Sequence, residues 1–323
     1  MLNTETARAL EQALEPRLGP VAVVDARPVG GGCISTVLRV QLEGGRTGAR
    51  GAGRAASGRL RSGAEPLPRR PVFVKLAAAT PPGSALLEAE AESLGRLRAA
   101  GGVRVPEVLA LREGWLALEW LEPGPASPSA WERLGAGLAV LHRQGGAAAA
   151  AYGWPRDNFI GSLPQANAGG ADWAAFWRTR RLEPQIALAR AGGLLGAREA
   201  AAFEPLLDRL PALLSSAEDD GPALLHGDLW SGNVHMLADG EPAVIDPAAY
   251  YGHREVDLAM AALFGGFHPS FYRAYQDAWP LRTPGLEQRR AAYQLYYLMV
   301  HLNLFGRGYL AGTRAALERA LSK

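Results

Sequence analysis

The 323-residue sequence has a single cysteine, Cys33, and only two lysines, Lys75 and Lys323, among its 34 basic residues. One cysteine excludes a framework of intramolecular disulfides and is typical of a chain in a reducing compartment. Arginine supplies all the other basic side chains, so an interior lysine indicates a position that a guanidinium group cannot fill. Lys75 is therefore a candidate functional residue.

The sequence also has little net charge and no apolar run of membrane-spanning length. The most apolar late segment, 293–305, is interrupted by Gln294, His301 and Asn303, and is too short to cross a bilayer. Residues 1–18 alternate like an amphipathic helix and lack the apolar core of a signal peptide. A formal net charge of +2 does not favour nucleic-acid binding. We predict a cytoplasmic protein, monomeric or dimeric, with no membrane partner.

Residues 224–246 carry the most informative pattern in the chain. The tripeptide HGD ends at Asp228, Asn233 follows five residues later, and Asp246 ends a short apolar run. This is the spacing of a kinase catalytic loop followed by a metal-binding aspartate at a strand end. The pattern predicts Asp228 as the catalytic base and Asn233 with Asp246 as Mg²⁺ ligands. For HGD alone, an ordinary turn is the alternative.

A glycine turn upstream indicates where the phosphates of ATP bind. Gly30, Gly31 and Gly32 separate two strand-like runs, 21–29 and 34–42. Backbone N–H groups in such a turn can approach phosphates because no side chains intervene. A plain hairpin turn is the alternative, since the full glycine pattern of protein kinases is lacking.

Lys75 lies in a short apolar strand, where a kinase lysine binds the α- and β-phosphates. A helix predicted over 84–99 follows and carries three glutamates. Its predicted buried face consists of Leu87, Ala91, Leu94 and Leu97. Glu90 flanks that face and is predicted to pair with Lys75, whereas Glu88 and Glu92 are predicted to be surface charges.

The order of the segments predicts a bilobal, protein-kinase-like α+β fold. Two further strands are predicted over 108–111 and 115–118. They lead into Glu119, Trp120 and Leu121, which resemble a hinge whose backbone binds an adenine edge. A mainly helical pattern follows a five-stranded antiparallel sheet. The predicted boundaries are an N-lobe over 1–118, a hinge over 119–124 and a C-lobe over 125–323.

Residues 43–70 interrupt the predicted N-lobe and are rich in Gly, Ala and Arg. Such a composition predicts a flexible, solvated insertion. A basic arm for nucleic acid or an acidic partner is the alternative. No aromatic residues are interleaved there to stack on bases, so nucleic-acid binding is the less favoured interpretation.

Longer stretches carry a family resemblance. They are GGGCIS at 30–35, VFVKL at 72–76, EAEAESL at 88–94, YGWPRDNFIGSLPQAN at 152–167, ADWAAFWRTRRL at 171–182, HGDLWSGN at 226–233, IDPAAYYGHREVDLAM at 245–260 and VHLNLFG at 300–306. Together they resemble the fructosamine kinase, or ketosamine kinase, family, which is related to aminoglycoside phosphotransferases and choline kinases. The tryptophan of HGDLW, the DPA in place of DFG and the DNFIG segment are the most specific. The resemblance leaves out mainly the 43–70 insertion.

The resemblance implies ATP- and Mg²⁺-dependent phosphorylation of a ketosamine at the sugar O3. The ketosamine is a fructosamine or ribulosamine adduct, either a small molecule or bound to a protein. The phosphorylated product is unstable, so the reaction amounts to deglycation. Carried over by position, Asp228 is the base, Asn233 and Asp246 hold Mg²⁺, and Lys75 pairs with Glu90. A phosphotransferase of aminoglycoside or choline type and a non-catalytic kinase-like regulatory protein are the alternatives.

Five further residues receive roles from their positions. Trp230 lies two residues past the base and is predicted to pack against the sugar, unless it is a core residue. His301 and Asn303 lie in an apolar helix and either line the acceptor pocket or are satisfied core polar groups. His226 is predicted to brace the catalytic loop rather than carry a proton. Asp257 is predicted to accept hydrogen bonds from the loop backbone.

Cys33 lies in the predicted phosphate loop, where members of the resembled family, notably eukaryotic ones, also carry a cysteine. Neighbouring backbone N–H groups would favour a redox-reactive thiolate. The hypothesis is that oxidation of Cys33, for example to an intermolecular disulfide, inhibits the enzyme. A small buried filler is the alternative.

Overall fold

The computed structural model describes residues 2–30, 36–44, 69–147 and 149–322. The chain divides into two compact units, residues 1–87 with 107–120 and residues 88–106 with 121–323. The lobe and hinge boundaries drawn from the sequence stay a prediction. Gly31, Gly32, Cys33 and most of the 43–70 insertion lie outside the described residues.

The first unit is built on a five-stranded antiparallel sheet. Its elements are α1 (Thr4–Leu18), β1 (Val21–Pro28), β2 (Thr36–Gly44), β3 (Arg69–Leu76), the start of α2 (Ser84–Ala100), β4 (Val108–Arg112) and β5 (Trp115–Glu119). The strand order is β1-β2-β3-β5-β4 with every neighbouring pair antiparallel, so β3 is the central strand. The predicted five-stranded antiparallel sheet is confirmed.

Helix α1 covers one face of this sheet. Asn3 caps it by accepting the backbone N–H of Thr6 at 2.7 Å. Leu10 and Leu14 are fully buried against a core that the strands complete. These strand residues include Leu38, Val40, Leu42, Val72 and Val74. Because side chains alternate along a strand, Lys75 lies on the opposite face of β3.

The second unit is mainly helical. Its elements are the remainder of α2, α3 (Pro128–Gly146), β6 (Asn158–Ile160), β7 (Leu163–Gln165), α4 (Trp173–Phe176), a π-helical segment (Trp177–Leu182), α5 (Glu183–Ala191), α6 (Ala197–Ala201), α7 (Glu204–Leu213), α8 (Ser216–Asp220), β8 (Ala223–Leu225), β9 (Val234–Met236), β10 (Pro242–Val244), β11 (Tyr250–Gly252), α9 (Glu255–Leu263), α10 (Pro269–Ala278), α11 (Leu286–Phe305) and α12 (Leu310–Leu321). The short strands form the antiparallel pairs β6–β7, β8–β11 and β9–β10. Over the residues described, no helix is long and apolar enough to cross a membrane.

The apolar spacing of the sequence predicts one helix over 172–190 and one over 197–215, and in the structure each is interrupted next to a proline. The pattern over 172–190 contains Pro184, which has no N–H for the carbonyl of Arg180 and whose ring crowds it. The helix therefore widens, and the N–H of Glu183 donates to the carbonyl of Arg178, five residues back. The pattern over 197–215 divides because Pro205 lies in the first turn of α7.

Candidate active site

The catalytic loop begins where strand β8 ends, and a buried carboxylate fixes its backbone. Asp257, in the first turn of α9, is fully buried. Its Oδ2 accepts the N–H of His226 at 2.8 Å, and its Oδ1 accepts the N–H of Gly227 at 2.9 Å. These are the backbone hydrogen bonds predicted for Asp257.

Asp257 is itself kept charged by a buried histidine. Burial disfavours its charge, but hydrogen bonds from His142 and the loop backbone outweigh burial and hold the pKa of Asp257 below its usual value. Burial lowers the pKa of His142, so its ring is neutral. The ring therefore donates Nε2–H to Asp257 at 3.1 Å, and its Nδ1 accepts the hydroxyl of Tyr275 at 2.9 Å.

His226 joins the loop to the strand that precedes Asp246. Burial lowers the pKa of His226, so the ring is neutral. Nε2–H donates to the carbonyl of Ile245 at 2.9 Å, and Nδ1 accepts the N–H of Asp228 at 3.3 Å. With both nitrogens engaged with backbone groups, His226 has the geometry of a brace.

Gly227 is the one position of HGD where no other residue fits. Its φ is +82°, in the left-handed region that favours glycine. A Cβ at this position would collide with the backbone carbonyl of Ala248. The carbonyl of Gly227 accepts the hydroxyl of Tyr297 from α11 at 2.7 Å. The sequence did not predict the close approach of the Ala248 carbonyl, although the glycine of HGD was a signal for it.

Asp228 and Asn233 lie in direct contact. The side-chain N–H₂ of Asn233 donates to the backbone carbonyl of Asp228 at 2.9 Å and to its carboxylate at 3.3 Å. Burial, followed by the nearby charge of Asp246, raises the pKa of Asp228 to about 7, although the bond from Asn233 opposes this rise. A carboxylate with a pKa near neutrality is suited to accept a proton from a hydroxyl.

Asp246 is brought to the same place by the β9–β10 hairpin. Val234 pairs with Val244, and the N–H of Ile245 donates to the carbonyl of Asn233 at 3.0 Å. Asp246 itself has a φ of +54° and is the only non-glycine residue with positive φ in the described part of the chain. Such a conformation costs about 1–3 kcal/mol and persists where the surrounding structure imposes it.

The donor set of this loop fits Mg²⁺. Because Asn233 uses its N–H₂ on Asp228, its Oδ1 is the atom oriented for a cation. With the carboxylate of Asp246 it gives two hard oxygen donors, the small protein share that Mg²⁺ takes when phosphates and waters complete its shell. Burial and, second, the charge of Asp246 raise the pKa of Asp228, and a cation held by Asp246 would reduce the repulsion between the two carboxylates. No group of three His, Cys, Asp or Glu side chains among the described residues is arranged to hold a metal alone.

The residues predicted to bind nucleotide fall in both units. Lys75 lies in the middle of the sheet, paired with Val37 of β2 and Leu116 of β5, and is only 5% exposed. Gly30 follows β1, and nothing lies within 4 Å of a Cβ built on it. Glu90 is partly buried on α2. The pairing of Lys75 with Glu90 stays a prediction.

The two other glutamates of α2 are surface charges, as predicted. Arg156 lies 2.6 Å from a carboxylate oxygen of Glu92 and 3.9 Å from one of Glu88. Of the predicted buried face, Leu87, Leu94 and Leu97 are buried, and Ala91 is partly buried.

The predicted hinge residues lie where the chain passes from one unit to the other. Trp120 ends the first unit, with its ring 6.4 Å from that of Phe73. The carboxylate of Glu119 accepts the N–H of Glu107 at 3.2 Å. Leu121 begins the second unit and is buried with residues of the β9–β10 hairpin. Their role in adenine binding stays a prediction.

Trp230 lies on the surface of the catalytic loop, with 37% of its area exposed. It is therefore not a core residue. Its ring lies over the backbone of Gly232, where a Cβ would collide with it. This exposure leaves the ring accessible to a sugar, and the contact itself stays a prediction.

His301 and Asn303 face different neighbours. His301 is partly buried, and its Nδ1–H donates to the carbonyl of Tyr297 at 2.8 Å. Burial lowers the pKa of His301, so the ring is neutral with Nε2 as an acceptor. Asn303 donates to the side chain of Gln185 at 2.8 Å and so joins α11 to α5. The assignment of both residues to an acceptor pocket stays a prediction.

A buried polar network beneath the segment that follows Asp246 was not predicted. Asn158 donates to the carbonyl of Ala249 at 2.9 Å and accepts from Gln165 at 2.8 Å and Asn167 at 2.7 Å. These residue types are visible in the stretch 152–167, but their hydrogen bonds to one another and to the backbone at Ala249 are not. The side chain of Asn158 anchors the backbone beyond Asp246.

Arg181 completes this network from the π-helical segment. It is fully buried, and within the described ranges no carboxylate pairs with it. Its guanidinium group donates to the carbonyl of Ala166 at 2.6 Å, to Oδ1 of Asn167 at 2.8 Å and to the carbonyl of Arg180 at 3.1 Å. That last carbonyl is the group left open by Pro184. The ring of Tyr250 lies 4.0 Å below the guanidinium carbon.

Comparison with known proteins agrees with this geometry. A protein-family model described as fructosamine kinase matches residues 62–323. A probable ketoamine kinase of Synechocystis sp. is 42% identical over 243 residues, 73% of this chain and 79% of that protein. A chloroplastic protein-ribulosamine 3-kinase of Oryza sativa is 36% identical over 246 residues, 73% of this chain and 69% of that protein.

A solved structure is similar to this one over nearly the whole chain. The crystal structure of a candidate fructosamine-3-kinase from Thermobifida fusca is 33% identical, with a TM-score of 0.79 over 97% of this chain and 98% of that one. The predicted protein-kinase-like α+β fold is confirmed. The loop has the spacing of a kinase catalytic loop, and the fructosamine kinase model matches most of the chain. Because the relatives agree with that match, the chain belongs to the fructosamine kinase family.

Proposed function

We propose that this protein transfers the terminal phosphoryl group of ATP to the O3 hydroxyl of a ketosamine, a fructosamine or ribulosamine adduct. The phosphorylated adduct is unstable and releases the amine, so the reaction removes the sugar. The similarity to a probable ketoamine kinase and a protein-ribulosamine 3-kinase supports this acceptor class. A cytoplasmic location and a monomeric or dimeric state stay predictions.

The contact between Asp228 and Asn233 carries the proposal. Asp228 accepts the proton of the attacking hydroxyl, and the amide of Asn233, 3.3 Å away, keeps its carboxylate oriented. Asn233 Oδ1 and the Asp246 carboxylate would hold Mg²⁺, which supplies positive charge to the phosphate oxygens when bound. His226 and Asp257 fix the loop backbone and take no part in proton transfer.

The remaining site residues have supporting roles in this proposal. Lys75, oriented by Glu90, binds phosphate oxygens, and the backbone of Gly30, Gly31 and Gly32 approaches them. The backbone of 119–121 binds the adenine edge. Trp230 offers an exposed aromatic face to the apolar face of the sugar, and His301 offers a neutral acceptor nitrogen. The redox hypothesis for Cys33 stays a prediction.

The test is ATP consumption with four acceptors: a fructosamine, a ribulosamine, an aminoglycoside and choline. We expect turnover of one or both ketosamines and none of the other two. Asp228→Asn should lower kcat by at least about 100-fold with an unchanged melting temperature. Asp277→Asn, an exposed aspartate on α10, is the matched control and should leave kcat unchanged.

Two results would overturn the proposal. Turnover of choline or the aminoglycoside alone would establish the related phosphotransferase type. No turnover of any acceptor, with ATP still bound, would establish the non-catalytic kinase-like protein. Both were alternatives on the sequence, and the matched family favours neither.

A further inference from the structure

A group of partly exposed aromatic rings surrounds His301. Ring centroids of Phe264, Phe305 and Tyr309 lie 4.7, 5.4 and 5.0 Å from that of His301. Phe305 is 56% exposed and Phe264 42% exposed. We call these four residues the aromatic strip. Large aromatic side chains left in water on a folded protein mark interaction sites.

The strip begins at the catalytic loop. His301 bonds the carbonyl of Tyr297 one helical turn earlier, and the hydroxyl of Tyr297 donates to Gly227, the residue before the base. At the other side, a Cβ built on Gly266 would lie 2.6 Å from the side chain of Ser231, so the loop after Phe264 packs against the catalytic loop. The strip is thus continuous with the loop that carries the base and Trp230.

The strip is also uncharged. Phe264, Phe305 and Tyr309 are neutral side chains, and burial lowers the pKa of His301, so its ring is neutral as well. A polycationic acceptor would find no carboxylate on these four side chains to neutralise it. An apolar side chain would instead bury ring area that is now exposed to water.

We propose that the aromatic strip binds apolar side chains that flank the ketosamine-bearing residue of a peptide or protein substrate. This inference rests on the proposed function and adds a preference for sequence context. The sugar lies at the catalytic loop, and the chain that carries it runs outward over Phe264 and Phe305. A small adduct reaches the catalytic loop and His301, and it gains nothing from Phe264 or Phe305.

The test compares acceptors that carry the same ketose. These are the adduct on methylamine and adducts on the central lysine of short peptides whose neighbours are leucine, glycine or glutamate. We expect the highest kcat/KM for the leucine-flanked peptide. Phe264→Ala with Phe305→Ala should lower that value about tenfold, which corresponds to about 1.4 kcal/mol. It should leave the methylamine adduct unchanged.

Leu188→Ala is the matched control, because Leu188 is also 42% exposed but lies outside the strip, on α5. It should leave every acceptor unchanged. Equal kcat/KM for the three peptides, or a leucine preference that survives in the double variant, would overturn the strip proposal while ketosamine turnover stands. The strip proposal would also be overturned if the wild type were an oligomer that the double variant dissociates, because a second copy of the chain would then cover the strip. Turnover of no ketosamine would instead sink the proposed function itself.

Discussion

The side-chain amide of Asn233 donates to both the carbonyl and the carboxylate of Asp228, over 2.9 and 3.3 Å. This explains why the position carries an amide, since a carboxylate would repel Asp228 where the amide donates. In the proposed function, the oxygen of the same amide binds Mg²⁺. If that proposal is right, Asn233→Ala removes a metal ligand and the orienting hydrogen bond together.

For Asn233→Ala we expect kcat to fall about 100-fold and the half-saturating Mg²⁺ concentration to rise at least about tenfold. The measurement is ATP consumption with Mg²⁺ varied at saturating ketosamine. Asp277→Asn should reproduce the wild-type curve. An unchanged Mg²⁺ dependence in Asn233→Ala would contradict the assignment of Asn233 as a ligand.

Gly227→Ala should destabilise the protein by about 3–5 kcal/mol. Alanine is strained at the positive φ of this position, and its methyl group would also have to displace the carbonyl of Ala248. Gly221 has a φ of +70° with nothing within 4 Å of a built Cβ, so Gly221→Ala isolates the backbone penalty of about 1–2 kcal/mol. Urea unfolding of both variants measures the difference. Equal losses would show that the close approach at Gly227 is harmless.

Asp220 gives the protein a specific dependence on acid. Burial opposes its charge, but hydrogen bonds from His253 at 3.1 Å and Arg254 at 2.8 Å outweigh burial and lower the pKa of Asp220 to about 2. A depressed pKa stabilises the fold above the unfolded value of 3.8, by about 2 kcal/mol, and this is lost as the pH falls to 2. The difference in unfolding free energy between wild type and Asp220→Asn should therefore be constant above pH 5 and shrink from pH 4 to 2. A difference that grows toward pH 2 would reverse the sign of this argument.

Arg181→Lys should cost about 2–4 kcal/mol of unfolding free energy, because an ammonium group cannot replace a planar fork that reaches three acceptors. Arg180→Lys is the matched control from the same π-helical segment. Arg180 is exposed and bonds one carbonyl at 3.3 Å, so its loss should be below about 0.5 kcal/mol. Chemical denaturation compares them, and similar losses would mean that the buried network contributes little.

The sequence predicted the parts of the fold and site that depend on local spacing. Asp228 and Asn233 are five residues apart, so a single loop brings them together. The strands show period-two patterns, and the central strand carries Lys75. The hydrogen bonds that Asp257 accepts from the loop backbone were also predicted, and the structure adds that this carboxylate is fully buried.

The main feature that was missed depends on residues far apart in the chain. The buried network contains Asn158 and Arg181, and within it the hydroxyl of Tyr296 donates to the side chain of Gln165 at 2.7 Å. No periodicity of the sequence links these residues, because three-dimensional packing brings them together. The widened helix before Pro184 has a local cause, but it occurs only because the chain stays helical past this proline.

The scarcity of lysine acquires another meaning once the buried position of Lys75 is considered. Reducing sugars condense with free amines, and the ε-amino group of lysine is the most common one in proteins. Here one of the two lysines is 5% exposed on the central strand, and the other is the last residue of the sequence. Among the residues that the structure describes, the exposed cationic side chains are guanidinium groups instead. With the proposed function, a protein that removes sugars from amines offers few amines of its own, and is a poor target for the chemistry that creates its substrates.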